Sequence, residues 1–127
     1  MVAALLLDTD VLIDYLRDTP PAVTFLEGLT QPAAISAISV AELYSGVREG
    51  REREALASFL GAFQILPLDE EIAKRGGLIR RDYGRSHGIG LADALIAGTA
   101  LVHNLIRVTV NRKHFPMVEV TVPYQKT

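Results

Sequence analysis

Three carboxylates stand where a fold can gather them. Asp8 closes the apolar run Val2-Ala3-Ala4-Leu5-Leu6-Leu7, Glu42 follows the stretch from Ala33 to Ile38, and Asp93 lies just inside a segment opening at Leu91. The run before Asp8 is continuously hydrophobic, the pattern of a buried parallel strand rather than of a half-exposed one. In α/β sheets, ligands bind outside the carboxyl ends of the strands, which places Asp8 at the rim of the expected site. If the strands before Asp8 and Glu42 are parallel neighbours, both acids project from one sheet edge. Asp93 reaches that edge from a helix N-terminus when the loop before it lies over the edge.

Acids so gathered repel: at ~5 Å and an effective dielectric of ~20 each pair costs about 3 kcal/mol. The arrangement needs compensation, by protonation or by a cation. Oxygen-only donors favour Mg²⁺ or Mn²⁺ over zinc, and His87, His103 and His114 lack the paired helical spacing of a zinc site. A cation held by acids suits phosphodiester chemistry, because it lowers the pKa of an attacking water and stabilises the leaving oxygen. Each acid also has a purely structural reading. Asp8 or Asp10 can cap a helix beginning near Asp10. Ser39-x-x-Glu42 has the form of a capping box, and Asp93 suits the positive end of its helix.

The elements that must position these residues alternate between strand and helix. Residues 2–7 read as a strand and 10–16 as a helix, which Pro20-Pro21 ends; Ala22, Phe25, Leu26 and Leu29 mark a second helix. A short strand falls within 33–38. Val40, Leu43, Tyr44 and Val47 then line one helical face up to Gly50. A helix over 52–63 turns Leu56, Phe59, Leu60 and Phe63 inward, residues 65–68 are extended, and Asp69 caps a helix running to about Tyr83. Gly76-Gly77 inside that helix costs roughly 1 kcal/mol per glycine relative to alanine, which points to a close approach or a kink. Residues 84–90 read as a loop, 91–103 as a helix rich in alanine, and 106–110 and 118–122 as strands. The alternation predicts a parallel-rich α/β sandwich.

Size and composition bound the function. The 127 residues suit one domain over 1–127, and 49% hydrophobic residues supply a core that, with no tryptophan, is mainly aliphatic. The absence of cysteine excludes disulfides, thiolate zinc sites and cysteine catalysis, and fits a reducing cytoplasm. The first apolar run is short for a signal peptide and lacks a basic leader, and no segment is long enough to span a bilayer. A net charge of −2 argues against a protein that coats nucleic acid, so any such contact is local. The basic residues cluster at 48–53, 74–85 and 112–113, as solvated helix faces or as phosphate contacts.

Four segments together resemble a known family. They are Leu5-Leu6-Leu7-Asp8-Thr9-Asp10-Val11-Leu12-Ile13, Ile38-Ser39-Val40-Ala41-Glu42-Leu43-Tyr44-Ser45-Gly46, Leu91-Ala92-Asp93-Ala94-Leu95-Ile96-Ala97 and Val108-Thr109-Val110-Asn111-Arg112-Lys113-His114-Phe115. In that order they make the chain similar to PIN-domain ribonucleases of the VapC toxin type. The resemblance implies a three-layer α/β/α sandwich with a mainly parallel central sheet. It implies a Mg²⁺- or Mn²⁺-dependent endoribonuclease, the toxin of a toxin–antitoxin pair, with RNA as substrate, a cognate antitoxin and a homodimer. Asp8, Glu42 and Asp93 match the family's first three acids and are the implied metal ligands. Where a fourth acid often stands, this chain has Asn111, either a turn residue or a site residue that ligates through water or positions the substrate. Thr109, Arg112 and Lys113 are candidate substrate contacts. His114 falls at a position that is often polar and has packing beside Phe115 as its simpler reading. Asp10 reads as a helix cap first and as support for the site second.

Other readings make different demands. Asp8-Thr9-Asp10 after a strand resembles haloacid-dehalogenase-like phosphatases, where Asp8 would be a nucleophile, but Leu12 stands where that motif has Thr or Val. A response-regulator receiver needs a phosphoacceptor Asp after a middle strand, and residues 47–66 contain none. A catalytically inactive PIN-like binding module would be consistent with Asn111, though not with three intact acids.

Overall fold

The computed structural model describes residues 3–111 and 115–125. Five strands, β1 (Leu5–Leu7), β2 (Ala33–Ser36), β3 (Gln64–Leu66), β4 (Ile106–Val108) and β5 (Val120–Thr121), form one sheet in the order β3-β2-β1-β4-β5. Every neighbouring pair is parallel. The chain builds outward from β1 to β3, then returns to the other side of β1 with β4. The order therefore reverses between β1 and β4, the position where open α/β sheets bind their ligands.

Six helices cover the two faces. α1 (Thr9–Leu16), α2 (Pro20–Glu27), α3 (Ala37–Ser45) and α4 (Arg51–Leu60) lie with the face that presents Leu5, Leu7, Ile35 and Val108. α6 (Leu91–His103) packs on the opposite face against Leu6 and Ala34, and α5 (Glu70–His87) packs on α6 around Ile79, Ala94 and Ala97. The three-layer expectation holds, and the core is aliphatic. No helix among the described residues is long and apolar enough to cross a membrane.

Several boundaries differ from the sequence reading. α3 begins at Ala37, because Ser36 caps it with its hydroxyl on the Ile38 amide; Ser39 is buried within the first turn and forms no capping box with Glu42. α5 continues through 84–87, which read as loop, and stops only at Gly88, whose φ of 64° reverses the chain. Arg85 and His87 in its last turn favour that extension through the helix dipole. Asp69 caps α5 through the Ile72 amide, as expected. The strands at 106–110 and 118–122 are shorter than read, because only 106–108 and 120–121 pair within the sheet.

The glycine pair resolves into two different positions. A Cβ on Gly76 would stand 2.5 Å from Leu95 Cδ2 and 2.9 Å from Leu95 Cα, so α5 and α6 touch backbone to backbone there. A Cβ on Gly77 would meet nothing within 4 Å. Gly76→Ala is therefore expected to destabilise by roughly 1–3 kcal/mol through overpacking, whereas Gly77→Ala stabilises by up to about 1 kcal/mol through helix propensity. Urea denaturation of the two variants checks the pair, and equal effects would contradict the close approach.

Candidate acidic active site

The site grows from the register of β1 and β4. Leu6 pairs with Arg107 and Leu7 with Val108, and the Asp8 amide donates to the Val108 carbonyl at 2.9 Å. Side chains alternate across a strand, so Arg107 and Asp8 emerge on the same face as Leu6, beneath the start of α6. Arg107 is fully buried and Asp8 is 4% exposed. The Arg107 guanidinium donates twice to Asp8 Oδ2, from Nη2 at 2.8 Å and Nε at 3.1 Å. Nη2 also donates to Asp93 Oδ1 at 3.3 Å, and Nη1 to the Asp93 carbonyl at 3.0 Å. The guanidinium lies over the Phe115 ring, 4.1 Å from its centroid, an attractive cation–π placement.

Arg107 is the residue that sequence reasoning missed. The signal was present: one charge inside Ile106-Arg107-Val108, on an interior parallel strand buried on both faces. Charged residues are almost never fully buried unless paired. The acids do need compensation, as their repulsion requires, and a protein cation provides it for Asp8 and Asp93.

The remaining acids are held separately. Asp8 caps α1, with Oδ1 accepting the Thr9 amide at 2.8 Å. The Thr9 hydroxyl donates to Glu42 Oε1 at 2.7 Å and lies 2.8 Å from the Ser39 hydroxyl. Glu42, on the second turn of α3, is thus tied to Asp8 through Thr9. Asp10 does not cap α1. Its Oδ2 accepts the Thr109 hydroxyl at 2.8 Å and the Val110 amide at 3.1 Å, strapping the start of α1 to the end of β4. Burial, and then the nearby Asp8 charge, push the Asp10 carboxyl above its ordinary value, against the opposing effect of those hydrogen bonds.

Thr109 departs from its expected role. It is fully buried, its hydroxyl donates to Asp10, and its oxygen accepts the Asn111 amide at 3.1 Å, so it holds the backbone and presents nothing to a substrate. Asn111 is half-buried just beyond it. Arg112, Lys113 and His114 lie outside the described residues.

The donor set suits a divalent cation in chemistry: hard carboxylate oxygens, with Asp8 and Asp93 already converging on one positive centre. Glu42 is directed at Thr9 instead. Among the described residues no three acids or histidines stand together as a metal-holding group. Asp8 as a phosphatase nucleophile is not favoured, since it is buried with both oxygens accepting hydrogen bonds.

A parallel sheet with acids gathered at its switch point defines a class, and the comparisons agree. The chain belongs to the PIN domain family, whose profile matches residues 5–119. It is 44% identical over 122 residues to Ribonuclease VapC10 of Mycobacterium tuberculosis strain H37Rv, covering 94% of this chain and 91% of that one. The fold is similar to a chain of a toxin–antitoxin complex from Klebsiella pneumoniae, with a TM-score of 0.82 and 29% identity over 97% of this chain and all of that one. It is also similar to a chain of the FitAcB structure from Neisseria gonorrhoeae, with a TM-score of 0.76 and 35% identity over 94% of this chain and 97% of that one.

Thr109→Val keeps the shape of the side chain and removes both roles of its hydroxyl. It is expected to lower stability by about 1–3 kcal/mol, because Asp10 stays buried with one donor fewer. Chemical denaturation measures this; a change near zero would show that the strap from α1 to β4 carries no load.

Proposed function

We propose that this chain is a metal-dependent endoribonuclease, the toxin of a toxin–antitoxin pair that a cognate antitoxin neutralises. The 44% identity to a protein named Ribonuclease VapC10, extending over 94% of the chain, carries the reading. The convergence of Asp8 and Asp93 at the sheet's switch point supports it.

Asp8 and Asp93 are the residues that would hold Mg²⁺, or Mn²⁺ in its place, with Glu42 as the third acid, linked to Asp8 through Thr9 by two hydrogen bonds. What the cation supplies there when bound is an attacking water of lowered pKa and stabilisation of the leaving oxygen. The chain's own groups fix the geometry around it. Asp8 is oriented by the Thr9 amide and by Arg107, Asp93 by the first turn of α6 and by Arg107, and Phe115 closes the inner side of the guanidinium. One of the carboxylates, with Glu42 more exposed than Asp8, is proposed to take a proton from the attacking water. Asn111, at the end of the β4 segment, is proposed to position the substrate. Arg112 and Lys113, next in sequence, are proposed to hold flanking phosphates. Single-stranded or looped RNA suits such a site better than duplex, because its bases can be splayed away from the cut bond.

An antitoxin segment has a place to lie. A groove of about 460 Å³ lies between α1, α3 and α4, lined by Ile13, Leu16, Leu43, Val47 and Leu56, with Glu42 also on its wall. An amphipathic peptide seated there would place a basic side chain near the acids. A homodimer of the chain in the cytoplasm belongs to the same proposal.

Asp93 gives the clean test, because its side chain is 29% exposed and its loss leaves the cap of α1 intact. Asp93→Asn, with an unchanged circular dichroism spectrum, is expected to lower Mg²⁺-dependent RNA cleavage about 100-fold, the upper end of what even the supporting residues of a metal site contribute. Full cleavage by a nuclease-free preparation of this variant would overturn the assignment.

A further inference from the structure

Arg107 is tied into the acid pair more completely than a simple structural ion pair requires. Both carboxylates that the proposed function assigns to a cation accept hydrogen bonds from it. A carboxylate oxygen offers two lone-pair positions, and on Asp8 Oδ2 both are taken, by Nε and Nη2. Asp8 Oδ1 already accepts the Thr9 amide. A metal ion therefore cannot use Asp8 Oδ2 without displacing an arginine hydrogen bond.

The guanidinium is also poorly placed to withdraw. It is fully buried, its Nη1 donates to the Asp93 backbone carbonyl, and its face rests on Phe115. None of those contacts depends on the carboxylates being free of metal. An arriving cation thus meets either an arginine that must give up Asp8 or one that stays as a positive neighbour. Both outcomes weaken metal binding, and both leave the metal-free site charge-balanced.

We propose that Arg107 is a resident counter-ion competing with divalent metal for Asp8 and Asp93. The acid centre is then held assembled without metal and loads its cation weakly and reversibly, so that nuclease activity follows the free metal concentration. This inference rests on the metal-dependent reading above but adds a residue and a direction to it.

The test uses the full chain, Mn²⁺ alone as probe, and the variants Arg107→Met and Arg107→Lys. Calorimetry or Mn²⁺ electron paramagnetic resonance is expected to show Arg107→Met binding Mn²⁺ about tenfold or more tightly than wild type, from loss of the like-charge neighbour. Arg107→Lys, which keeps a charge with fewer donors, is expected in between. Without metal, Arg107→Met melts lower than wild type, and Mn²⁺ raises its melting temperature by more. Should Arg107→Met fail to fold, the wild type decides alone: its Arg107 Nε–H resonance is expected to move in step with Mg²⁺ occupancy. Equal Mn²⁺ affinity in wild type and variant, or an Nε–H signal that stays fixed while Mg²⁺ binds, overturns the competition and leaves the metal assignment standing. Absence of Mn²⁺ binding in every variant overturns the metal assignment and this proposal with it.

Discussion

The Arg107 guanidinium lies out of contact with water on an interior strand, and a charge in that position must be matched by opposite charge and by hydrogen-bond acceptors. Asp8 and Asp93 supply both. Asp8 is also the cap of α1, and Asp93 stands in the first turn of α6, so the interaction joins β1, β4 and the starts of two helices on opposite faces of the sheet. Desolvation makes such a cluster a costly way to stabilise a fold, and removing one partner costs more than the pair contributes. What it secures is position: two carboxylates are held together at the sheet's switch point by the chain itself.

Two other contacts determine whether that assembly can form. The first is the depth of α6. Gly76 of α5 and Gly98 of α6 let the two helices approach until Gly76 touches Leu95, and α6 packs on Leu6 and Ala34 through Ile96 and Ala100. The second is the pair of hydroxyl bridges. Thr9 joins Glu42 to the start of α1, and Thr109 joins Asp10 to the end of β4. Each is buried or half-buried, and each places an acid at a defined distance from the Arg107 cluster without adding it to that cluster. The acids are in this way divided between one ion-paired group and two hydroxyl bridges.

This division bears on the chemistry of a PIN domain nuclease. An active site of converging acids is strained when empty, and the usual remedies are a bound cation or protons. Here a side chain of the protein takes part of that role, while Glu42 is held apart by the Thr9 hydroxyl. Phe115 covers one face of the guanidinium, and the sheet lies beneath it.

Much of this was readable in the residues. The continuous run ending at Asp8, the small-residue helix over 91–103 and the four ordered segments were enough for the fold class, for the parallel sheet and for the meeting of Asp8 with Asp93. Local chemistry made these legible, since hydrophobic period and capping preference act within a few residues. Tertiary structure decided the rest. Ser36, not Ser39, begins α3, because the Ser36 hydroxyl reaches the Ile38 amide while Ser39 is buried beside Thr9. Asp10 became a strap and Thr109 its buried donor through a contact between residues 99 apart in sequence. The pairing of Arg107 with Asp8 spans the same separation. The sequence by itself determined that acids would meet at one edge; only the register of β4 beside β1 decided that a buried arginine would meet them there, because alternation along two paired strands sets which side chains face each other and no local pattern records it.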